Sequence, residues 1–256
     1  MKTIFFLAGI LIINQLQAQQ QQGRVVYEHT RQMKLRMMGM GGEQAVPRTH
    51  TQQIEVLFTN TASLCRQIEN ELPDAFGNEG GNQIRIMGGA DDITYYNFSE
   101  GRKVEQREFA TKQYLISDSI QKLNWKLTGE SKTVLGYTCQ QAVTMRIGKR
   151  MEMSMDNGKM TRKEVPDTVQ VVAWFTPVIP VPAGPELQGQ LPGLILELKM
   201  GENASYKAVE LSPKVEVAAI KEPRKGKKVT GEEFNMEREK VIKDMEGRGV
   251  RIMRGG

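Results

Sequence analysis

Methionine has the most unusual spacing of any residue type in this sequence. Met151, Met153 and Met155 alternate with polar residues immediately before an Asn-Gly pair. Thioether sulfur favours soft cations such as Cu(I), so three such groups on one strand face could hold an ion. Methionine also makes adaptable apolar surfaces, and alternation by itself is typical of a packed strand face. Packing, a ligand surface and a soft-metal site therefore stay open for these residues and for Met33, Met37, Met38, Met40, Met145 and Met160.

Groups suited to catalysis are scarce. The chain has two histidines, His29 and His50, and it has neither a Gly-x-Ser-x-Gly nor a His-Glu-x-x-His motif. The glycines of "MMGMGGE" lack the GxGxxG spacing of a nucleotide-binding loop. His29 lies within a strand pattern, where we expect a structural role. We therefore predict that the protein is not an enzyme and uses no cofactor, and a hydrolase is the least favoured alternative.

Two cysteines, Cys65 and Cys139, complete the reactive groups. A disulfide between them would stabilise the fold by about 4 kcal/mol on the chain-entropy model, and an exported protein would permit it. Two buried thiols are equally compatible with the sequence. Spacing cannot show whether the sulfur atoms meet, so both arrangements remain open.

The elements that would position these groups are β-strands, because the dominant hydrophobic period is two. Ile54, Val56 and Phe58 alternate with other residues, and residues 169–175 repeat the pattern. Strands without intervening helices are typical of antiparallel all-β proteins. We predict an antiparallel sheet, curled into a half-barrel or a sandwich, with a C-terminal α-helix. The remaining candidate strands are residues 24–38, 93–98, 103–109, 114–117, 123–127, 137–147, 159–165, 204–211 and 215–220.

Turn signals connect these strands. Asn157-Gly158 predicts a tight hairpin, because both central residues of a type I′ turn need positive φ. The segment Pro177–Gly193 contains five prolines and predicts a stiff loop. Leu191-Pro192-Gly193-Leu194 at its end predicts a type II turn with positive φ at Gly193. The loop then re-enters the sheet as a strand in which Leu194, Leu196 and Leu198 share one face.

The chain divides into three predicted parts. Residues 1–18 resemble a signal peptide, with Lys2, an apolar run and a cleavage site ending at Ala18. Residues 19–220 form the antiparallel β domain, and residues 221–256 form a basic linker, a helix and a tail. Thr230-Gly231-Glu232-Glu233 has the spacing of a helix capping box. Cleavage near Ala18 would make the mature protein periplasmic or secreted, and no later segment is long enough to span a membrane.

Excess positive charge is concentrated in the C-terminal part. The formal net charge is +5, and an exported protein would not meet nucleic acid. A solvated basic end is the expected interpretation, and the alternative is contact with an anionic lipid surface. The basic residues are Lys221, Arg224, Lys225, Lys227, Lys228, Arg248, Arg251 and Arg254.

Two stretches resemble the GLPGLI family of exported bacterial envelope proteins. They are "WKLTGESKTVLGYTCQQA" from Trp125 and "VAWFTPVIPVPAGPELQGQLPGLILEL" ending at Leu198. Gln190 stands where the name motif has its first glycine, and the hairpin over residues 148–165 is longer than the family pattern. The resemblance implies export and a β architecture but no particular activity. Its motif positions include Trp125, Tyr137, Cys139, Trp174, Pro192 and Gly193.

Together these features predict a non-enzymatic binding or accessory protein of the cell envelope. We expect it to hold an apolar or amphipathic ligand, or a partner protein of the envelope, on a face of its β-sheet. A distant similarity to lipoprotein-sorting carriers, which have a curled sheet and a helix, agrees with this expectation at the level of fold alone. The alternative is soft-metal binding through Met151, Met153 and Met155.

Overall fold

The computed structural model describes residues 20–39, 42–68, 92–156 and 159–247. Side chains are described for these residues apart from 33–39, 42–48, 149–156, 159–164 and 245–247. The predicted signal peptide lies outside the described residues. Within them, twelve strands and one helix form: β1 (Gly23–Gly39), β2 (Gly42–Phe58), β3 (Ala62–Gln67), β4 (Ile93–Asn97), β5 (Arg102–Phe109), β6 (Lys112–Ser119), β7 (Lys126–Val134), β8 (Tyr137–Asp156), β9 (Lys159–Thr176), β10 (Leu194–Met200), β11 (Ala204–Ser212), β12 (Lys227–Val229) and α1 (Gly231–Gly247).

All twelve strands belong to one open sheet. Its order is β12-β6-β5-β4-β3-β2-β1-β11-β10-β9-β8-β7. Most neighbours are consecutive in the chain and antiparallel, while β1 pairs with β11 and the short β12 runs parallel to β6. The predicted antiparallel all-β fold with a C-terminal helix is confirmed. Because β6 and β7 lie near opposite edges, residues 120–125 connect one side of the sheet to the other.

The Pro-rich loop between β9 and β10 fills one face of the sheet. Ile179, Val181 and Ala183 are completely buried in the main core cluster together with Tyr27 and other residues of the central strands. The Tyr27 hydroxyl donates to the carbonyl of Ile195 at 2.6 Å, which fixes the point where the loop returns to the sheet. Burying an apolar side chain of this size stabilises a fold by about 1.5–3 kcal/mol. The loop is therefore part of the core, and we call the face that it covers the inner face.

The predicted type II turn at the end of this loop is wrong. Gly193 does not have the positive φ that this turn requires. The Gly193 amide donates to Leu191 O at 2.9 Å, and the Leu194 amide donates to Ile179 O at 3.0 Å instead of closing a four-residue turn. Glycine is needed here for a different reason. A Cβ atom at Gly193 would lie 2.3 Å from the carbonyl oxygen of Thr176, so the backbones approach too closely for any side chain.

Three other local predictions differ from the structure. Residues 215–220 do not form a strand, and they contain a short 3-10 turn, Val217–Ala219. Trp125 precedes β7 instead of lying within a strand. In β10, a register shift between Ile195 and Glu197 interrupts the alternation, so Leu194, Ile195 and Leu196 are all buried. A β-bulge of this kind changes the direction in which the following residues face.

The C-terminal segment packs on the sheet. The ring of Phe234 in α1 makes edge-to-face contacts with Tyr114 and Phe109, with centroids 5.1 and 6.0 Å apart. The predicted capping box forms, since Thr230 Oγ1 accepts from the Glu233 amide at 3.2 Å and the Thr230 amide donates to the Glu233 carboxylate at 2.7 Å. The helix is thus held by both apolar packing and its cap.

Two hairpins extend beyond the sheet as arms. The β1–β2 pairing continues to Gly39 and Gly42, although β1 pairs with β11 only as far as Arg31. The β8–β9 pairing continues to Asp156 and Lys159, in the register predicted for a hairpin at Asn157-Gly158; those two turn residues lie outside the described residues. Four antiparallel steps separate β1 from β8, so both strands run in the same direction. The two arms therefore leave the sheet at the same end.

Candidate binding surfaces

A polar cluster lies where the Pro-rich loop meets β8 and β11. The Tyr206 hydroxyl donates to Glu186 Oε1 at 2.6 Å, and Arg146 Nη1 lies 4.0 Å from Glu186 Oε2. The Tyr206 ring stacks on His29, with centroids 4.1 Å apart and planes at 8°. Tyr206 and His29 are buried, whereas Glu186 and Arg146 are partly exposed. The cluster consequently combines two buried aromatic rings with a partly exposed ion pair.

His29 is a neutral hydrogen-bonding group in this cluster. Its Nδ1 lies 3.1 Å from the side-chain nitrogen of Gln52, and its Nε2 is buried without a partner among the described residues. Burial, and then the charges of Arg31 and His50, lower the pKa of His29 from 6.5 to about 4. The imidazole therefore stays uncharged near neutral pH.

The Cys65 thiol and the Tyr206 phenol near Glu186 are also held in their neutral forms. Burial, and then the charges of Glu186 and Glu55, raise the pKa of the Cys65 thiol to about 12. Burial, and then the Glu186 carboxylate, raise the pKa of Tyr206. A thiol or phenol in this condition is a poor nucleophile. The cluster offers hydrogen bonds and shape, but these groups are not prepared for nucleophilic chemistry.

A second buried polar contact fixes the loop to β3. Ser63 Oγ donates to Gln188 Oε1 at 2.5 Å, and both residues are completely buried. The Gln188 side-chain nitrogen has no partner among the described residues. Buried amides are normally satisfied by protein or by ordered water, and the rest of this loop is apolar core. We interpret this contact as an anchor of the loop.

The predicted metal ligands lie on one arm. Met151, Met153 and Met155 belong to β8, and their side chains lie outside the described residues. The strand register places Met155 directly opposite Met160. Among the described residues, no group of three or more His, Cys, Asp or Glu is arranged to hold a metal ion.

The predicted motif residues are divided between core and surface. Trp125 and Trp174 are half-buried against the main core, Tyr137 packs there too, and Cys139 is completely buried. Lys132 Nζ lies 4.4 Å from the ring centroid of Trp174. Cys65 and Cys139 are both free thiols. Gly193 is buried at its close approach to Thr176, and Pro192 is exposed.

The most exposed large apolar side chain of the described residues, Ile147, lies on β8. Pairing with β7 ends at Val143, and beyond it Met145 is 52% exposed and Ile147 is 79% exposed. These residues alternate with Arg146 and therefore share the face opposite to it. On that face Gln170 and Thr168 lie directly opposite Met145 and Ile147 on β9. Val172 lies opposite Val143, Trp174 follows two residues later on the same face of β9, and both are half-buried. We call Val143, Met145, Ile147, Val172 and Trp174 the outer strip.

Part of this chain is similar to a protein family of unknown function. A family model described as "Protein of unknown function (Porph_ging)" matches residues 125–197. The match covers the segment in which the sequence motifs were found, from Trp125 to Glu197. No curated protein sequence matches the chain. Within the described residues, no helix is long and apolar enough to cross a membrane.

Among solved structures, the fold is similar to part of PNGF-II. The structure of PNGF-II in space group C2 has a TM-score of 0.51 and 14% sequence identity, over 86% of this chain and 33% of that chain. The structure in space group P21 has a TM-score of 0.49 and 13% identity, over 84% and 32% of the two chains. The present chain thus spans about a third of the length of PNGF-II. At this identity the likeness concerns the fold alone.

Proposed function

We propose that this protein is an exported, non-enzymatic accessory protein of the bacterial envelope that binds another protein through its β-sheet. The signal-like residues 1–18 and the resemblance of residues 125–198 to the GLPGLI family support export. The raised pKa values of Tyr206 and Cys65 leave little nucleophilic anion, and the lowered pKa of His29 makes its imidazole a weak base, which supports a binding role over a hydrolytic one.

One observation carries the proposal of a protein partner. The inner face is filled by the chain's own loop, while Met145 and Ile147 are exposed at an unpaired part of β8. An apolar ligand on the inner face would have to displace Ile179, Val181 and Ala183 from the core. Exposed apolar residues grouped on a surface mark interaction sites. A partner on the outer strip requires no such displacement.

Photo-crosslinking in the native envelope tests this function. A photoreactive amino acid would be placed at Met145 or Ile147, and at Val209 and Val178 as exposed apolar positions outside the outer strip. We expect one reproducible crosslinked protein from the first pair and none from the second. The absence of any reproducible crosslinked protein at Met145 and Ile147 would contradict the proposal.

A second candidate function is soft-metal binding by the β8–β9 arm. The strand register places Met155 directly opposite Met160, and Met153 precedes Met155 by two positions on the same strand. This grouping of methionines favours soft-metal binding. Cu(I) titration of the protein and of a Met151/Met153/Met155→Leu variant would test it. We expect the triple variant to bind Cu(I) at least tenfold more weakly, and equal affinities would exclude this arm as a metal site.

A further inference from the structure

We propose that β8 binds an extended segment of the partner as an additional antiparallel or parallel strand, and that this segment alternates apolar with acidic residues. The inference rests on the proposed function and specifies the chemistry of the partner.

The open edge of β8 provides the backbone groups for such pairing. β8 runs from Tyr137 to Asp156, but β7 pairs with it only between Tyr137 and Val143. On its other side, β8 pairs with β9 throughout residues 140–156. Thr144 still contacts the segment before β7, since its hydroxyl donates to Asn124 O at 2.9 Å. From Met145 onward, no strand of the described residues pairs with this side of β8. Unpaired N–H and C=O groups along an edge are a template for another strand.

Side-chain alternation along this edge sets a pattern for the added strand. Met145 and Ile147 face the outer side, and Arg146 faces the inner side. Cross-strand neighbours on one face interact directly, and apolar or oppositely charged pairs are favourable. The added strand should therefore place apolar residues beside Met145 and Ile147 and a carboxylate beside Arg146.

The charge of the edge favours an acidic segment. Between Thr144 and Arg150 the chain carries Arg146, Lys149 and Arg150 and no acidic residue. The Glu186 carboxylate is 4.0 Å from Arg146, and both side chains are partly exposed. Such a long, exposed ion pair contributes little. Arg146 is consequently available to a second carboxylate.

The same charges argue against two occupants from this protein itself. Pairing of residues 144–150 with the same residues of a second copy would bring Arg146, Lys149 and Arg150 of each chain together. The C-terminal residues 248–256 carry Arg248, Arg251 and Arg254 and no acidic residue. Like charges opposite one another destabilise a strand pair. A separate acidic partner fits the edge better than either.

Synthetic peptides provide a defined probe. Two nine-residue peptides that alternate Val with Glu or Val with Lys would be titrated against the processed protein, with affinity measured by fluorescence anisotropy. We expect the Glu peptide to bind at least tenfold more tightly than the Lys peptide. Amide hydrogen exchange followed by NMR should then show new protection at alternate residues between Thr144 and Arg150, because only every second N–H group of a strand points to a given edge.

Variants at the edge complete the test. Ile147→Glu should weaken binding of the Glu peptide at least tenfold, whereas Val209→Glu, at an exposed position of β11, should not. Arg146→Glu should reverse the preference between the two peptides, and unchanged melting temperatures would show that each variant is folded.

Several results would overturn the inference. They are failure of both peptides to bind, equal affinity for the two peptides, protection outside residues 144–150, or self-association that Ile147→Glu abolishes. If crosslinks form at Met145 and Ile147 in the envelope but the Glu peptide does not bind, the partner-binding function stands and the acidic added strand does not.

Discussion

The side-chain oxygen of Gln190 accepts a hydrogen bond from the indole nitrogen of Trp125 at 3.0 Å. The same oxygen accepts from the backbone amide of Leu123 at 2.8 Å. One side chain therefore joins the segment that enters β7 to the Pro-rich loop, and it connects the two stretches that carry the family resemblance. Gln190 is also the position at which this stretch differs from the GLPGLI motif that it resembles, and a glycine there could not make this contact.

Replacing Gln190 by Ala should destabilise the protein by about 1–3 kcal/mol. The change leaves the partly buried N–H groups of Trp125 and Leu123 without their acceptor, and the cost of an unsatisfied group exceeds the value of an average hydrogen bond. Urea denaturation would measure the free energy of unfolding. Gln141→Ala is a suitable control because Gln141 donates to Glu130 on the exposed surface. Equal stability of the two variants would show that the Gln190 contact does not support the fold.

Gly193→Ala should lower the free energy of unfolding by at least about 2 kcal/mol. The added methyl group would lie 2.3 Å from the carbonyl oxygen of Thr176, which cannot move without displacing the end of β9. Gly148 is a matched control, since a Cβ atom there meets only Asp167 O at 3.9 Å. Thermal unfolding of both variants would distinguish them. Equal melting temperatures of Gly193→Ala and Gly148→Ala would contradict the close approach seen in the structure.

Local pattern predicted several of the strands, although it missed β3 and wrongly predicted a strand over residues 215–220, and it did not predict the binding surfaces. The alternation in Ile54–Phe58 predicted β2 because side-chain direction in a strand depends only on sequence position. Gly193 was predicted to have positive φ because Pro-Gly favours a type II turn, whereas its real constraint is Thr176, a residue outside the motif. The contact between Glu186 and Tyr206 joins a loop to a strand 20 residues later, and no local sequence pattern predicts it.

The exposed surface of β8 could be predicted only in part. Met145 and Ile147 were recognised as strand residues, but their exposure depends on where β7 ends. Sequence alternation does not show which strand lies at an edge, because both edge and central strands have a period of two. That information comes from the strand order, which places β7 and β8 at one side of the sheet.

Both cysteines should react with a thiol reagent only after unfolding. Cys139 is completely buried. Cys65 is partly exposed, but its pKa is raised to about 12, mainly by burial, so little thiolate is available in the native protein. Labelling with an aromatic disulfide reagent should give no fast reaction in buffer and two thiols per chain in denaturant without reductant. Zero thiols in denaturant would instead demonstrate the disulfide that the sequence left open.

Protonation of His29 should destabilise the fold between pH 6.5 and about 4. The pKa of His29 is lowered from 6.5 to about 4 in the folded state, mainly by burial. The unfolded chain therefore binds a proton that the folded chain excludes, and stability falls as the pH decreases through this range. Above pH 6.5 the imidazole is neutral in both states and contributes no pH dependence.

His29→Phe separates this effect from the titration of carboxylates. Phenylalanine retains an aromatic ring against Tyr206 but carries no titratable group, so the slope of unfolding free energy against pH should be shallower than in wild type between pH 6.5 and 4. Val209→Phe is the control, because Val209 is an exposed residue of β11 without a titratable group and its replacement should leave the slope nearly unchanged. Chemical denaturation at half-unit pH intervals would give the three curves. Parallel curves for wild type and His29→Phe would mean that His29 is protonated without cost in the folded protein.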